Sequence, residues 1–240
     1  MKKACIIGAS SAIGLALIRQ LDGVYDEILC HYNSRADGLE NLKSQLRTPL
    51  TLIQADLSDE ASTLALADTL QKDPAIDAVV HISAPGLELK PFKKASWSDF
   101  QRMLDVQVRS AVLILQAVLP AMVKAKHGRI VMVLTAAIDG KNPAYMTSYL
   151  TAKHALHGLM KSLSSEYVSK GITVNAVSPS MTDTPFIAQM PELAKTMQIE
   201  RHPMHRLATV DDICPAISYF LSDESGYVSG QNLIISGGEH

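Results

Sequence analysis

The sequence has little cysteine, no surplus of charge and no long apolar run. Its three cysteines, Cys5, Cys30 and Cys214, are odd in number and lack paired spacing. That gives no disulfide framework and no zinc pattern. Cys5 and Cys30 fall in apolar segments and are expected to be small core residues. Lys plus Arg total 22 against 24 for Asp plus Glu, a formal charge of −2. Nothing in this balance points to a nucleic-acid or membrane-surface partner. No apolar run is expected to reach bilayer-spanning length. The start, Met1-Lys2-Lys3-Ala4-Cys5-Ile6-Ile7, looks like the charged end of a signal peptide. Gly8-Ala9-Ser10-Ser11 cuts its apolar run short, so a strand and a turn are predicted there. Repeats, low-complexity tracts and linkers are also missing. A soluble, cytoplasmic protein is expected.

What is there is an ordinary globular composition. The chain has 240 residues, 47% of them hydrophobic, enough for a single α/β domain over residues 1–240. Short apolar runs predict strands at 3–7, 27–32, 50–54, 77–82, 129–134, 172–177 and 232–236. Helical spacing follows the first strand to about Leu21, runs through 98–126, follows Tyr149, and returns at 210–221 with Thr209 as a plausible N-cap. Strands alternating with helices argue one doubly wound, seven-stranded, mostly parallel sheet with helices on both faces. Residues 178–204, with Pro179, Pro185, Pro191 and Pro203, read as an irregular loop. A long loop in such a fold is often a lid over the site. Its Met181, Phe186, Ile187, Met190 and Met197 suggest an apolar pocket.

Three segments carry chemistry. Gly8-Ala9-Ser10-Ser11-Ala12-Ile13-Gly14 links the first strand to a helix. That is the context in which a pyrophosphate sits on a helix N-terminus, close to backbone that lacks a Cβ. The pattern is looser than Gly-x-Gly-x-x-Gly, and a simple tight turn explains it nearly as well. The second strand ends in His31-Tyr32-Asn33-Ser34-Arg35. An acid that would hold a ribose 2′-hydroxyl is missing at Tyr32. Arg35 either faces a 2′-phosphate or is a solvated loop residue. Asp56 either bonds an adenine amino group or caps the helix after it. Tyr149 and Lys153, four residues apart, share one side of a helix. An ammonium there favours phenolate, making the phenol a better acid and base near neutral pH. On its own, the pair is also read as a tyrosine at a helix start beside a solvated lysine.

Taken together, Gly8 to Gly14, Asp56-Leu57, Tyr149-x-x-x-Lys153, Val174-Asn175-Ala176-Val177-Ser178-Pro179, Thr182 and Gly230-Gln231 with Gly237-Gly238 resemble, in order and spacing, the short-chain dehydrogenases/reductases. The resemblance covers nearly the whole chain and is to reductases of 3-oxoacyl thioesters and related carbonyls. It implies a Rossmann-type domain, hydride transfer from NAD(P)H, and a homotetramer or homodimer packed through the two long helices. Tyr149 would be the general acid. Lys153 would lower its pKa and bind the nicotinamide ribose. Thr182 would contact the carboxamide. Gly8, Ser10, Ser11, Ile13, Gly14, Asp56, Leu57, Ser83, Tyr149, Lys153, Pro179 and Thr182 would line the cofactor. Asn33, Ser34 and Arg35 favour NADP(H) over NAD(H). The spacing of Tyr149 and Lys153 resembles carbonyl reductases rather than enoyl reductases, whose gap is wider.

Several positions depart from the family pattern. Its catalytic serine falls on Thr135, and its helix asparagine on Gln107. The threonine before the turn is Ile7 and the middle glycine is Ala12. Asn-Asn-Ala-Gly is His81-Ile82-Ser83-Ala84, and the glycine after Pro179 is Ser180. Thr135 keeps a hydroxyl, expected either to bond a substrate carbonyl or to bond its own backbone. Gln107 keeps an amide on a longer stem. The expected function is reduction of a ketone or 3-oxoacyl carbonyl to an alcohol. The alternative is a dinucleotide-binding member of weak or no activity, acting as a sensor or partner subunit.

Overall fold

The computed structural model describes residues 1–139 and 142–239. Among them the strands are β1 Lys3–Ile7, β2 Glu27–Tyr32, β3 Leu50–Gln54, β4 Ile76–His81, β5 Gly128–Val133, β6 Ile172–Pro179 and β7 Asn232–Ile235. They form one seven-stranded sheet in the order β3-β2-β1-β4-β5-β6-β7. Every neighbouring pair is parallel. The helices are α1 Ala12–Gln20, α2 Asp37–Lys43, α3 Glu60–Gln71, α4 Trp97–Leu104, α5 Ser110–Ala125, α6 Thr147–Tyr167, α7 Glu192–Arg201 and α8 Val210–Leu221.

Alternation along each strand sends side chains to opposite faces. Ala4 and Ile6 of β1 join a core with Leu17 and Ile18 of α1 and Ile213, Ile217 and Phe220 of α8. Cys5 and Ile7 join the other core, with Leu66 and Leu70 of α3, Ile114 and Val118 of α5, and Leu156 and Met160 of α6. A strand buried on both faces reads as a continuous apolar run, as Ala4 to Ile7 does. Cys5, Cys30 and Cys214 are all buried and unpaired. Burial holds their thiols protonated, well above the usual range.

The chain winds outward from β1 to β3, then returns to place β4 on the other side of β1. The crevice where direction reverses therefore opens above the carboxyl ends of β1 and β4. Gly8 follows one of these strands and Ile82-Ser83 the other. Helix starts are fixed by side chains. Ser11 accepts from the Gly14 amide at the start of α1, and Thr209 and Asp212 form a reciprocal capping box at the start of α8.

Three sequence expectations need correction. Residues 178–204 are not wholly irregular, because α7 lies within them. The helix escapes sequence reading because it buries no residue and so shows no apolar stripe. Asp56 does not cap α3; Asp59 does, accepting from the Ser62 amide at 2.7 Å. Finally, the helix expected at 98–126 is present as α4, a π turn at Asp105–Arg109 and α5, continuous over Trp97–Ala125, but the expectation that no run reaches bilayer-spanning length fails, since a window of it has mean hydropathy 1.7. It is long and apolar enough to cross a bilayer, yet Ile114, Leu115, Val118 and Met122 pack it against the sheet.

Candidate active site

Gly8 has φ +91°, a left-handed value that glycine adopts without strain. A Cβ there would lie 2.8 Å from Ser83 Oγ, and one on Gly14 would lie 2.4 Å from the Ala9 carbonyl oxygen. Both glycines are thus required by close approach, Gly8 to the β4 loop and Gly14 to the turn's own backbone. The amides at the start of α1 face the crevice end of the sheet, and this cradle fits an anionic pyrophosphate. Ser10 and Ile13 are half-buried beside it and Ser11 is exposed.

Asn33, Ser34 and Arg35 follow β2 and are all exposed, open to a group with negative charge. The Asn33 carbonyl accepts from Gln54 Nε2 at 2.9 Å, tying this loop to the end of β3. Asp56 accepts from the Ser58 amide (2.9 Å) and hydroxyl (2.7 Å). These bonds hold its carboxyl below the usual range. Leu57 is buried. Pro179 ends β6, buried, and the Thr182 hydroxyl donates to the Ser180 carbonyl at 2.9 Å.

Tyr149 lies in the first turn of α6 and Lys153 one turn later, 6% and 2% exposed. The Lys153 ammonium donates to the Val133 carbonyl at 2.7 Å and stands 5.5 Å from the Tyr149 ring centroid. Helix α6 is thereby bound to the last residue of β5. Burial lowers the Lys153 pKa to about 7. Burial also pushes Tyr149 upward, against a lowering hydrogen bond from Thr135. The expected lowering by Lys153 does not govern here. The ammonium lies beside the ring and the β5 carbonyl, and desolvation outweighs it.

Of the two expectations placed on Thr135, the structure shows the bond to its own backbone. Its Oγ1 accepts from the Ala137 amide at 3.3 Å, and the hydroxyl is near enough to the Tyr149 phenol to work against the upward push of burial. A donor and a second hydroxyl thus converge where β5 ends. Gln107 lies in the π turn, fully buried. Its Nε2 reaches Met103 Sδ at 3.5 Å, while Oε1 has no hydrogen-bond partner among the described residues.

His81 replaces an asparagine of the family pattern. Its Nε2 lies 2.9 Å from Ser110 Oγ, and that hydroxyl donates to the Val106 carbonyl at 2.6 Å. Ser110 must therefore accept from His81, fixing the Nε2–H tautomer. Burial first, then the Lys153 charge, lowers His81 to about 3. His81 ties β4 to α5 in the uncharged form.

The lid meets the site through Phe186, whose ring centroid is 5.9 Å from that of Tyr149. Phe186 and Met190 pack with Leu87, Met103, Ile138, Met146 and Leu150 around Tyr149. Ile187 is buried, but Met197 is exposed on α7. Leu87, Ile138 and Met146 carry no sequence signal for this role; they sit in a loop, at the end of a single 3-10 turn and just before α6, and only the fold gathers them. Asn175 serves structure: Oδ1 accepts from the Gln231 amide at 3.0 Å and Nδ2 donates to the Val228 carbonyl at 2.8 Å.

Residues 8–240 match the family described as enoyl-(acyl carrier protein) reductase. The chain is a short-chain dehydrogenase/reductase. Within this family it is 31% identical over 244 residues to an uncharacterised oxidoreductase of Bacillus subtilis (strain 168), covering 100% of this chain and 99% of the relative. It is 28% identical over 242 residues to acetoacetyl-CoA reductase of Allochromatium vinosum, covering 98% and 97%. Among solved structures, a Beutenbergia cavernae protein described as a candidate NAD(P)-dependent gluconate 5-dehydrogenase, with NADP bound at low occupancy, superposes with a TM-score of 0.90. It is 26% identical, over 99% of this chain and 96% of that one. This short-chain dehydrogenase/reductase is an oxidoreductase by family.

Proposed function

We propose that the protein reduces a ketone or 3-oxoacyl carbonyl to an alcohol, with NADPH preferred over NADH. The observation that carries the reading is the junction of Tyr149, Lys153 and Thr135 at the carboxyl end of β5, beside the Gly8 crevice. A bound nicotinamide cofactor would supply the hydride to the carbonyl carbon. Gly8, Ser11 and Gly14 would hold its pyrophosphate, and Lys153 its nicotinamide ribose. Thr135 donates a hydrogen bond to the carbonyl oxygen, where charge develops. Tyr149 gives its hydroxyl proton to that oxygen, and the alcohol forms. Its raised pKa keeps the phenol protonated before hydride transfer, and the proton moves as negative charge develops on the substrate oxygen. Phe186, Met190 and Leu87 enclose the reacting carbon in apolar surroundings and exclude water.

The kinship to acetoacetyl-CoA reductase supports an acyl-thioester substrate. Arg35 supports the cofactor preference, since an arginine–phosphate pair gains charge-assisted hydrogen bonds. A groove of about 480 Å³ between α5 and α6, lined by Leu115, Leu119, Leu159, Leu163 and Tyr167, lies away from Tyr149. It supports pairing with a second copy in a dimer or tetramer. A cytoplasmic location is part of the same reading.

The test is oxidation of NADPH and NADH with a panel of ketones and 3-oxoacyl thioesters. NADPH should win by about 1.5–3 kcal/mol in kcat/KM, the usual worth of a hydrogen bond to a charged group. Thr135→Val should cost about 10²–10³ in kcat, and Thr135→Ser should keep activity. A preference for NADH, or full activity in the valine variant, overturns the corresponding part.

A further inference from the structure

His31 belongs to no step of this chemistry, yet it touches two loops that would hold the cofactor. It lies on β2, 3% exposed. Its Nδ1 accepts from the Gly8 amide at 3.1 Å, and its Nε2 lies 3.1 Å from the Ala55 carbonyl. A backbone N–H only donates and a carbonyl only accepts. The two contacts together therefore allow one state, the neutral ring with its proton on Nε2. The His31 carbonyl also accepts from the Ala9 amide at 2.8 Å. One residue thus grips Gly8-Ala9 with ring and backbone, and Ala55, beside Asp56, with the other side of the ring.

The sheet cannot make this link. Pairing of β1 with β2 ends at Ile7 and His31, and pairing of β2 with β3 ends at Tyr32 and Gln54. Beyond those rungs one backbone bond on each side ties the segments to β2, Ala9 to the His31 carbonyl at 2.8 Å and Ala55 to the Tyr32 carbonyl at 3.0 Å, and neither joins the Gly8 turn to the Ala55 loop directly. The imidazole carries the connection past the end of the ladder. The titratable groups facing it are Asp56, which favours the charged ring, and His81, which stays neutral. Burial is the larger influence and holds His31 below the usual histidine range.

We propose that His31, as the neutral Nε2–H tautomer, is a positioning residue that sets the distance between the Gly8 pyrophosphate turn and the Ala55–Asp56 loop, and so controls dinucleotide affinity without touching the dinucleotide. The inference rests on the dinucleotide-binding reading above. Asparagine places its amide oxygen where Nδ1 stands, so it can still accept from Gly8, but it falls short of Ala55. Glutamine reaches Ala55 and leaves Gly8 unserved. Leucine keeps the bulk and serves neither.

The experiment titrates the free protein and its variants with NADPH and NADH, following nucleotide fluorescence, beside thermal melts without nucleotide. His31→Leu should raise Kd about tenfold or more, the cost of one buried donor left unpaired. His31→Asn should recover most of that loss. Nitrogen-15 NMR of the parent's His31 at neutral pH should show a protonated Nε2 and a bare Nδ1. A charged ring or the reverse tautomer overturns the proposal, and does so even if the leucine variant fails to fold. Lower melting temperatures with Kd unchanged in the Leu and Asn variants also overturn it, leaving His31 a structural residue. A parent that binds neither coenzyme overturns the dinucleotide reading itself, and this inference with it.

Discussion

The turn after β1 and the segment after β6, proposed above as a lid, lie at the same carboxyl end of the sheet and are held in opposite ways. The turn is fixed from within and below. Gly8 and Gly14 are pressed against backbone, Ser11 caps α1, and His31 grips the Gly8 amide. The lid crosses the surface with Leu193, Met197 and Met204 exposed. Its anchors include a bridge between Thr182 and Ala208, the Ser180 amide on the Ile235 carbonyl at 2.9 Å, His202 Nε2 at 2.9 Å from the Ser236 carbonyl, and Phe186 on Tyr149. The turn has no room to adjust, which suits recognition of an invariant pyrophosphate. The segment after β6 carries more exposed apolar surface and fewer backbone constraints, which would suit the proposed lid role.

Tyr149 sits where the two regions meet, and its loss should have the largest effect. Tyr149→Phe should lower turnover by about 10²–10⁴, the usual reach of general acid catalysis, while dinucleotide Kd stays constant. Lys153→Ala should harm both, because Lys153 braces α6 on β5 and is proposed to hold the nicotinamide ribose. Steady-state kinetics with a binding titration separates them; near-full rate in the Phe variant would make the pair structural.

Gly14→Ala tests the rigidity of the turn. The new Cβ would stand 2.4 Å from a carbonyl oxygen, so backbone must move. Overpacking of this kind costs about 1–3 kcal/mol. A lower melting temperature together with weaker dinucleotide binding is expected. An unchanged melt would show the turn to be as pliant as the lid.

Acid should loosen the turn's side of the crevice. His31 and His81 are held neutral by burial, the latter down to about 3, whereas in the unfolded chain both titrate near ~6.5. Below that value the unfolded state binds more protons, so stability falls with pH, by at most about 1.4 kcal/mol per unit for each histidine. Lys153, lowered to about 7, acts in the same sense on the alkaline side: stability rises from pH 7 toward its unfolded value. Urea melts across pH 5 to 8 check the slope, and His81→Asn should flatten it.

Phe186→Ala should have the smallest effect on the fold. An aromatic pair is worth about 0.5–1.5 kcal/mol beyond area, and the lid gives little else to lose. KM for apolar ketones should rise several-fold with kcat nearly kept, and the Tyr149 phenol, less buried, should titrate lower. A large drop in melting temperature would show the lid to be part of the core.

Periodicity determined the strands, the long helices and the doubly wound order, because strands buried between two cores are mostly apolar and the long helices that pack on them are apolar on one face. Spacing determined the glycine turn and the Tyr149–Lys153 pair, since both are local and their geometry follows from a turn and a helix. The tertiary structure decided the rest. A neutral imidazole bridging Gly8 and Ala55, a phenol whose burial overrides a nearby ammonium, and Phe186 resting on Tyr149 join residues far apart in the chain. Their energies depend on distance and desolvation, which no pattern of residues along a sequence contains. Helix α7 was hidden for the converse reason: it buries nothing, and a helix without a buried face leaves no period to read.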